Sequence, residues 1–289
     1  MSKNRKMQKT IASSIEYSGV ALHTGNNVRI KFLPAEADSG IVFRRVDLVG
    51  KPDLKAEPDN VVSTKRCTSI GLADDQTAIH TIEHLMAAIW AADIDNILIE
   101  LDNAETPVVD GSALPYIKLI EGAGIVELSK SRKVKKIAKS IWAKKDDMYL
   151  VVLPYEGFKV SYTLVYDHPV IGTQFYEYDQ EDSDFLEEIA PARTFGFERE
   201  VEALHRRGLA LGGSLENAVL IGDKKIVNPL RFSNEFVRHK ILDIIGDMFL
   251  NGYISGHIIA VRSGHYLHVE LAKKIYDEIS NRIIQEVEV

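Results

Sequence analysis

Residues 10 to 50 alternate apolar and polar positions, as in Val28-Arg29-Ile30-Lys31-Phe32, with turn signals at Thr24-Gly25-Asn26 and Asp38-Ser39-Gly40 between the runs. This period of two predicts antiparallel strands. From Thr77 to Ala92 the spacing turns helical, with Ile79, Ile82, Met86, Ile89 and Trp90 on one side, and Asn96 to Leu101 then reads as a strand. A second amphipathic helix follows Asp110-Gly111, with Ser112 as its N-cap and Pro115 in the first turn. The grammar repeats later in the chain: strands at 149–153 and 158–165, a helix at 198–207, strands near 218 and 226, a long helix, and a final strand and helix. Strands first and helices afterwards, twice over, predict α+β domains rather than a doubly wound sheet.

Between the two halves, Lys130 to Lys139 is the sharpest shift in composition and reads as a solvated linker entering an edge strand at Ile141 and Trp142. The expected domains are therefore 1–129 and 130–289, a division that suits a chain of 289 residues. A net charge of -7 argues against a general nucleic-acid binder. The single cysteine, Cys67, makes no internal disulfide and points to a reducing compartment, the cytoplasm. The first nine residues are basic, but no continuous apolar run follows, so they read as a solvated tail rather than a signal peptide. The best apolar run, Ile258 to Val261, is strand-sized, and no membrane span is expected.

Candidate chemistry lies in three places. His80-Thr-Ile-Glu83-His84 puts two histidines at i and i+4 on the expected helix, the ligand spacing of the inverted zinc-peptidase motif H-x-x-E-H. In the long helix, Val237, Ile241, Ile244, Ile245 and Met248 form the buried stripe; His239, Asp243 and Asp247 follow at steps of four on a polar one. Ser233 or Asn234 would cap that helix and Asn251-Gly252 would stop it. Neither helix alone completes a site, since a catalytic zinc takes three protein ligands and keeps one open position. His84, His239 and Asp243 form one complete set, with Glu83 beside the open position as general base; His80 and His84 with Asp243 or His239 form another, and spacing does not choose between them. The third place is Ser263-Gly264-His265-Tyr-Leu-His268, where His265 falls at a loop tip or helix start and His268 one turn into the helix.

Seven ordered segments, from about residue 8 to 275, resemble the UDP-3-O-acyl-N-acetylglucosamine deacetylases, which commit a nucleotide sugar to lipid A synthesis. They are Gly19-Val-Ala-Leu-His23-Thr-Gly25, His80-Thr-Ile-Glu83-His84-Leu, Pro107-Val-Val-Asp110-Gly-Ser-Ala113, Ala192-Arg193-Thr-Phe-Gly-Phe197, Leu211-Gly-Gly-Ser-Leu215, Phe236-Val-Arg-His239-Lys240-Ile-Leu-Asp243 and Ser263-Gly-His265. The resemblance implies a zinc amidohydrolase in which His84, His239 and Asp243 bind the metal and Glu83 is the general base. Ferrous iron suits the same ligands. It further implies that His265 is the catalytic histidine, oriented by Asp247, and that Thr194 donates its hydroxyl to the oxyanion. Lys240 and Arg262 match positions that meet the UDP phosphates, while Phe158 and His23 match further substrate contacts. Phe195 and the helix from Glu198 to Arg207 belong to an insert, near 194–220, that walls a passage for the acyl chain. The fold it implies has two similar domains, each a β-sheet with paired helices, the helix layers packed face to face between the sheets and the metal at their junction. The expected partner is this small-molecule substrate, with no nucleic acid, and the expected state is a monomer. Cys67 matches a cysteine near the family's active site and reads as a packed residue; Arg66 adds a charge near the cleft.

Overall fold

The computed structural model describes residues 5–72, 76–281 and 284–289 and shows an α+β architecture built on two larger sheets. In the first, the strands Ile15–Val20, Asn27–Pro34, Ile97–Leu101, Ile41–Arg45 and Asp53–Lys55 lie side by side in that order. The predicted alternation holds: Val28, Ile30 and Phe32 are buried while Asn27 and Arg29 face outward. The pairing is not wholly antiparallel, because Ile41–Arg45 runs parallel to Ile97–Leu101.

The second sheet is organised around Ile254–Val261, which pairs antiparallel with Met148–Leu153 on one side and parallel with Phe158–Val165 on the other. Ile141–Lys145 and Thr173–Asp179 extend it outward, and Lys133–Lys136 joins the beginning of the central strand together with Gln285–Glu288.

Six α-helices occur among the described residues: α1 (Glu83–Ala91), α2 (Leu114–Gly122), α3 (Phe185–Glu188), α4 (Glu198–His205), α5 (Glu235–Met248) and α6 (His265–Ser280). α2 packs on α1 and on the edge strand Ile15–Val20, α5 and α6 pack together on the second sheet, and the two helix pairs meet through α1 and α5. Because α5 is covered by the sheet on one side and α1 on the other, it is buried nearly all round; only Arg238 and Lys240 keep appreciable exposure. Each of Val237, Ile241, Ile244, Ile245 and Met248 gains roughly 1.5–3 kcal/mol from burial, which offsets the cost of holding its polar residues out of water.

Several local expectations change. The helix expected from Thr77 begins only at Glu83: Thr81 takes a left-handed φ of 60°, and His80 lies in extended backbone bridged to Glu105. Ser112 is not the cap of α2, which starts after Ala113; the Ser112 hydroxyl donates to Asp110 instead. The end of the basic tail is a strand rather than a solvated segment: Met7–Ile11 pairs with Ile125–Ser131, and Gln8, Thr10 and Ile11 are buried. The expected linker is mostly strand, and Arg132 within it is 2% exposed, because Asp93 and Asp95 receive its guanidinium.

Candidate active site

Asn234 precedes α5 without a side-chain cap, its amide oxygen accepting from Arg238 Nε at 2.7 Å. From there the four-residue step carries His239, Asp243 and Asp247 along one line of the helix. Glu83 and His84 open α1, and Gly246 of α5 lies directly against the Glu83 backbone. The crossing therefore brings residues from both helices to one point. His84 Nε2 and His239 Nε2 lie 3.6 and 3.4 Å from the same oxygen, Asp243 Oδ1. The ligating atoms of all three residues fall within 4.8 Å of one another, and all three are buried.

The other atoms of this group are already engaged. His239 Nδ1–H donates to the Ala192 carbonyl at 3.1 Å, the tautomer that turns the Nε2 lone pair toward Asp243. Asp243 Oδ2 accepts from Lys240 Nζ at 2.6 Å. Asp243 Oδ1 is buried with no hydrogen-bond partner among the described residues. A bare carboxylate oxygen held between two imidazoles is costly unless a cation fills the gap, so the donor set fits a divalent metal. Burial pushes the His239 imidazole down to about 4, leaving it neutral, the form a metal takes. Burial would raise the Asp243 carboxyl, but His239 and Lys240 hold it well below the usual carboxylate range. Two histidines and one carboxylate suit zinc or ferrous iron with positions left open. His80 stands outside this set: it precedes α1, and its Nδ1 lies 2.8 Å from Ser69 Oγ.

A second cluster adjoins the first. Asp247 Oδ2 accepts from His265 Nδ1 and from His268 Nδ1, each at 2.8 Å, and its Oδ1 accepts from the Thr68 hydroxyl at 2.5 Å. His268 is fully buried, with its Nε2 on Ser263 Oγ at 3.0 Å. Burial lowers its pKa, so it stays neutral. Burial opposes the charge on His265 too, but Asp247 and then Glu83 raise it to about 9. Asp247, with burial again opposing, is brought to about 2 by His265 and His268. Glu83 is buried; its Oε2 accepts the Thr68 backbone N–H at 3.0 Å, and its Oε1 lies 3.8 Å from His265 Nε2. Burial pushes the Glu83 carboxyl up, against the pull of His265 and His84.

Glu83, His84, His239, Asp243 and His265 open onto a cleft of about 500 Å³ that also meets Thr194, Phe195, Lys240 and His23. Phe197, Val201, Leu204 and Leu215 add apolar lining to it. Thr194 is fixed by its backbone, donating to the Gly111 carbonyl and accepting from the Val219 N–H, both at 2.8 Å. Gly111 is required there: its φ is +82° and a Cβ would sit 1.8 Å from the Asn217 carbonyl oxygen. The Phe195 ring stands between Phe236 and His239, with centroids 5.0 and 6.0 Å away. His23 is held through its backbone N–H on Glu105, and burial lowers its imidazole pKa. Arg66, at the rim, pairs with Glu200 of α4 at 3.1 Å, and burial pushes the Cys67 thiol up to about 12.

The structure does not bring every expected residue to the cleft. Arg262 is 40% exposed, pairs with Asp147 at 3.1 Å and does not line it. Phe158 is packed against Trp90 at 5.3 Å, inside the core. Thr68, in contrast, was given no part by the sequence, and no local pattern marks it; its role follows only from how the loop before Ser69–Ile70 meets α1 and α5.

The family model described as UDP-3-O-acyl N-acetylglycosamine deacetylase matches residues 8–277. Proteins named UDP-3-O-acyl-N-acetylglucosamine deacetylase are similar along nearly their whole length. That of a Nitratiruptor species is 45% identical over 282 residues, covering 96% of this chain and 93% of its own. That of Geotalea uraniireducens is 44% identical over 278 residues, 95% of this chain and 89% of its own. That of Citrifermentans bemidjiense is 42% identical over 271 residues, 93% and 88% respectively.

Proposed function

The chain belongs to the family of UDP-3-O-acyl-N-acetylglucosamine deacetylases, and from that premise we propose that it hydrolyses the N-acetyl group of UDP-3-O-acyl-N-acetylglucosamine, releasing acetate and the free amine, the committed step of lipid A biosynthesis. The observation that carries the reading is the bare Asp243 Oδ1 held between the His84 and His239 imidazoles, in a cleft that apolar side chains also line.

In this reading His84, His239 and Asp243 hold zinc, with ferrous iron as the alternative. The metal supplies Lewis acidity, polarising the amide carbonyl and easing loss of a proton from water near neutral pH. Glu83 takes that proton on Oε1, since Oε2 is engaged by the Thr68 N–H. His265, protonated near neutral pH, steadies the developing oxyanion through Nε2–H and then delivers its proton to the leaving nitrogen. Asp247 holds the ring in that orientation. The Thr194 hydroxyl is the second oxyanion donor, a contact of a kind worth about 2.7–4 kcal/mol of barrier. Lys240, His23 and Phe195 contact substrate within the cleft, and the acyl chain lies between Phe197, Val201, Leu204 and Leu215. We also propose a cytoplasmic, monomeric enzyme of two domains divided near residue 130, between the strands of the first sheet and those of the second.

The test is acetate release from UDP-3-O-acyl-N-acetylglucosamine by the purified protein, before chelation, after it, and with one equivalent of zinc restored. Activity lost and regained supports the reading. A protein that keeps its rate without metal overturns the metal assignment, and one that never releases acetate overturns the reaction.

A further inference from the structure

We infer that Thr68 is a positioning residue for the reaction, one that sets the base and the acid at once. The inference rests on the deacetylase reading above. Thr68 is fully buried and touches both halves of the proton machinery: its backbone N–H binds Glu83 Oε2 at 3.0 Å and its hydroxyl binds Asp247 Oδ1 at 2.5 Å. Its carbonyl accepts the Ile82 N–H at 3.2 Å, which ties the same residue to the start of α1.

Two consequences follow from donor counting. An ionised carboxylate only accepts, so the single hydroxyl proton goes to Asp247. Asp247 then has a donor on Oδ1 and two on Oδ2, and it can no longer turn about its last torsion. That fixes the plane in which His265 Nδ1–H must lie and so the direction of Nε2, which points into the space 3.8 Å from Glu83 Oε1 and 3.9 Å from Asp243 Oδ2. On the other side, binding Oε2 through the backbone leaves Glu83 Oε1 as the oxygen that faces the cleft. The hydroxyl, whose oxygen also lies 3.4 Å from His265 Nδ1, thus acts on turnover mainly through its shorter bond to Asp247, while the backbone bond is indifferent to the side chain at this position.

Thr68→Val keeps the branched shape and removes only the hydroxyl. In the zinc-loaded enzyme it should lower kcat about 10–100-fold, the usual cost of losing such a supporting bond, with KM and zinc content unchanged. Thr68→Ser should restore most of kcat, and in an Asp247→Asn background Thr68→Val should add almost nothing. A near wild-type kcat for Thr68→Val, failure of serine to restore it, loss of zinc, or full additivity with Asp247→Asn each overturns the inference. Nitrogen NMR of the His265 ring reads the same geometry without turnover: the valine variant shifts its signals and serine returns them. Unshifted signals overturn the inference, while signals that shift in the valine variant, although the wild type releases no acetate, sustain it and place the failure in the deacetylase reading.

Discussion

Gly246 and Glu83 stand back to back where α5 crosses α1, so close that a Cβ on Gly246 would sit 2.0 Å from the Glu83 carbonyl oxygen. The missing side chain sets the spacing of the two helices and with it the spacing of residues on their facing turns. Gly246→Ala should force the helices apart, costing about 1–3 kcal/mol of stability as an overpacked contact. A displacement near 1 Å should also lower kcat about 100-fold, well beyond what the stability loss alone would cause in a protein that remains folded. Urea unfolding and kcat measured on the same preparation check both halves of this expectation.

The proposed ligand set and the proposed base should separate cleanly by mutation. His239→Ala should lose its zinc, whereas Glu83→Gln should keep it and lose turnover by about 10²–10⁴-fold. His80→Ala should keep the metal, because His80 lies ahead of α1 and outside the three-residue group. Metal content after gel filtration, followed by kcat, decides each case; zinc retained at full occupancy in His239→Ala would remove that residue from the set.

Arg132 joins regions far apart in the chain. Its guanidinium meets Asp93 and Asp95 and lies 4.1 Å over the Tyr253 ring. Arg132→Ala leaves Asp95 without its guanidinium and Asp93 with only Lys6 and Lys9, and should cost on the order of 3 kcal/mol, the low end for a buried pair because Asp93 is partly exposed. Burial opposes the Asp93 charge, yet Lys6, Lys9 and Arg132 hold its pKa at about 2. That lies below the roughly 3.9 of an unfolded aspartate, so the folded chain binds fewer protons. The stabilisation is complete above about pH 5 and is lost as pH falls toward 2. Urea midpoints across that window should drop less in the variant than in the wild type.

The apolar lining of the cleft should set the acyl length. Leu204→Trp, on a wall residue, should raise KM for long-chain substrates at least about tenfold and leave short-chain ones nearly unchanged, since overpacking penalises only what must enter the filled space. Equal effects on every chain length would mean that the acyl group lies elsewhere.

Sequence periodicity located α5 and the four-residue spacing of His239, Asp243 and Asp247 along it, because both depend on one helix and its 3.6-residue turn. The start of α1 escaped it: apolar spacing from Thr77 onward looks helical, but Thr81 adopts a left-handed φ and the segment is drawn into bridges with Ile70 and Glu105 instead. His239, Asp243 and Asp247 were readable as a polar stripe, yet not as a buried one, since burial depends on α1 covering them. Arg132 looked like a linker charge for the same reason. Its partners lie in a turn that sequence spacing does not connect to it.

The proposed metal ligands come from two helices widely separated along the chain, His84 from α1 and the others from α5, and His265 begins the helix after that. A ribosome delivering this protein therefore releases the first sheet and α1 long before anything can hold a cation beside His84. Metal capture at this set would have to wait until α5 has emerged, so a product truncated before α5 would carry Glu83 and His84 without the proposed chemistry.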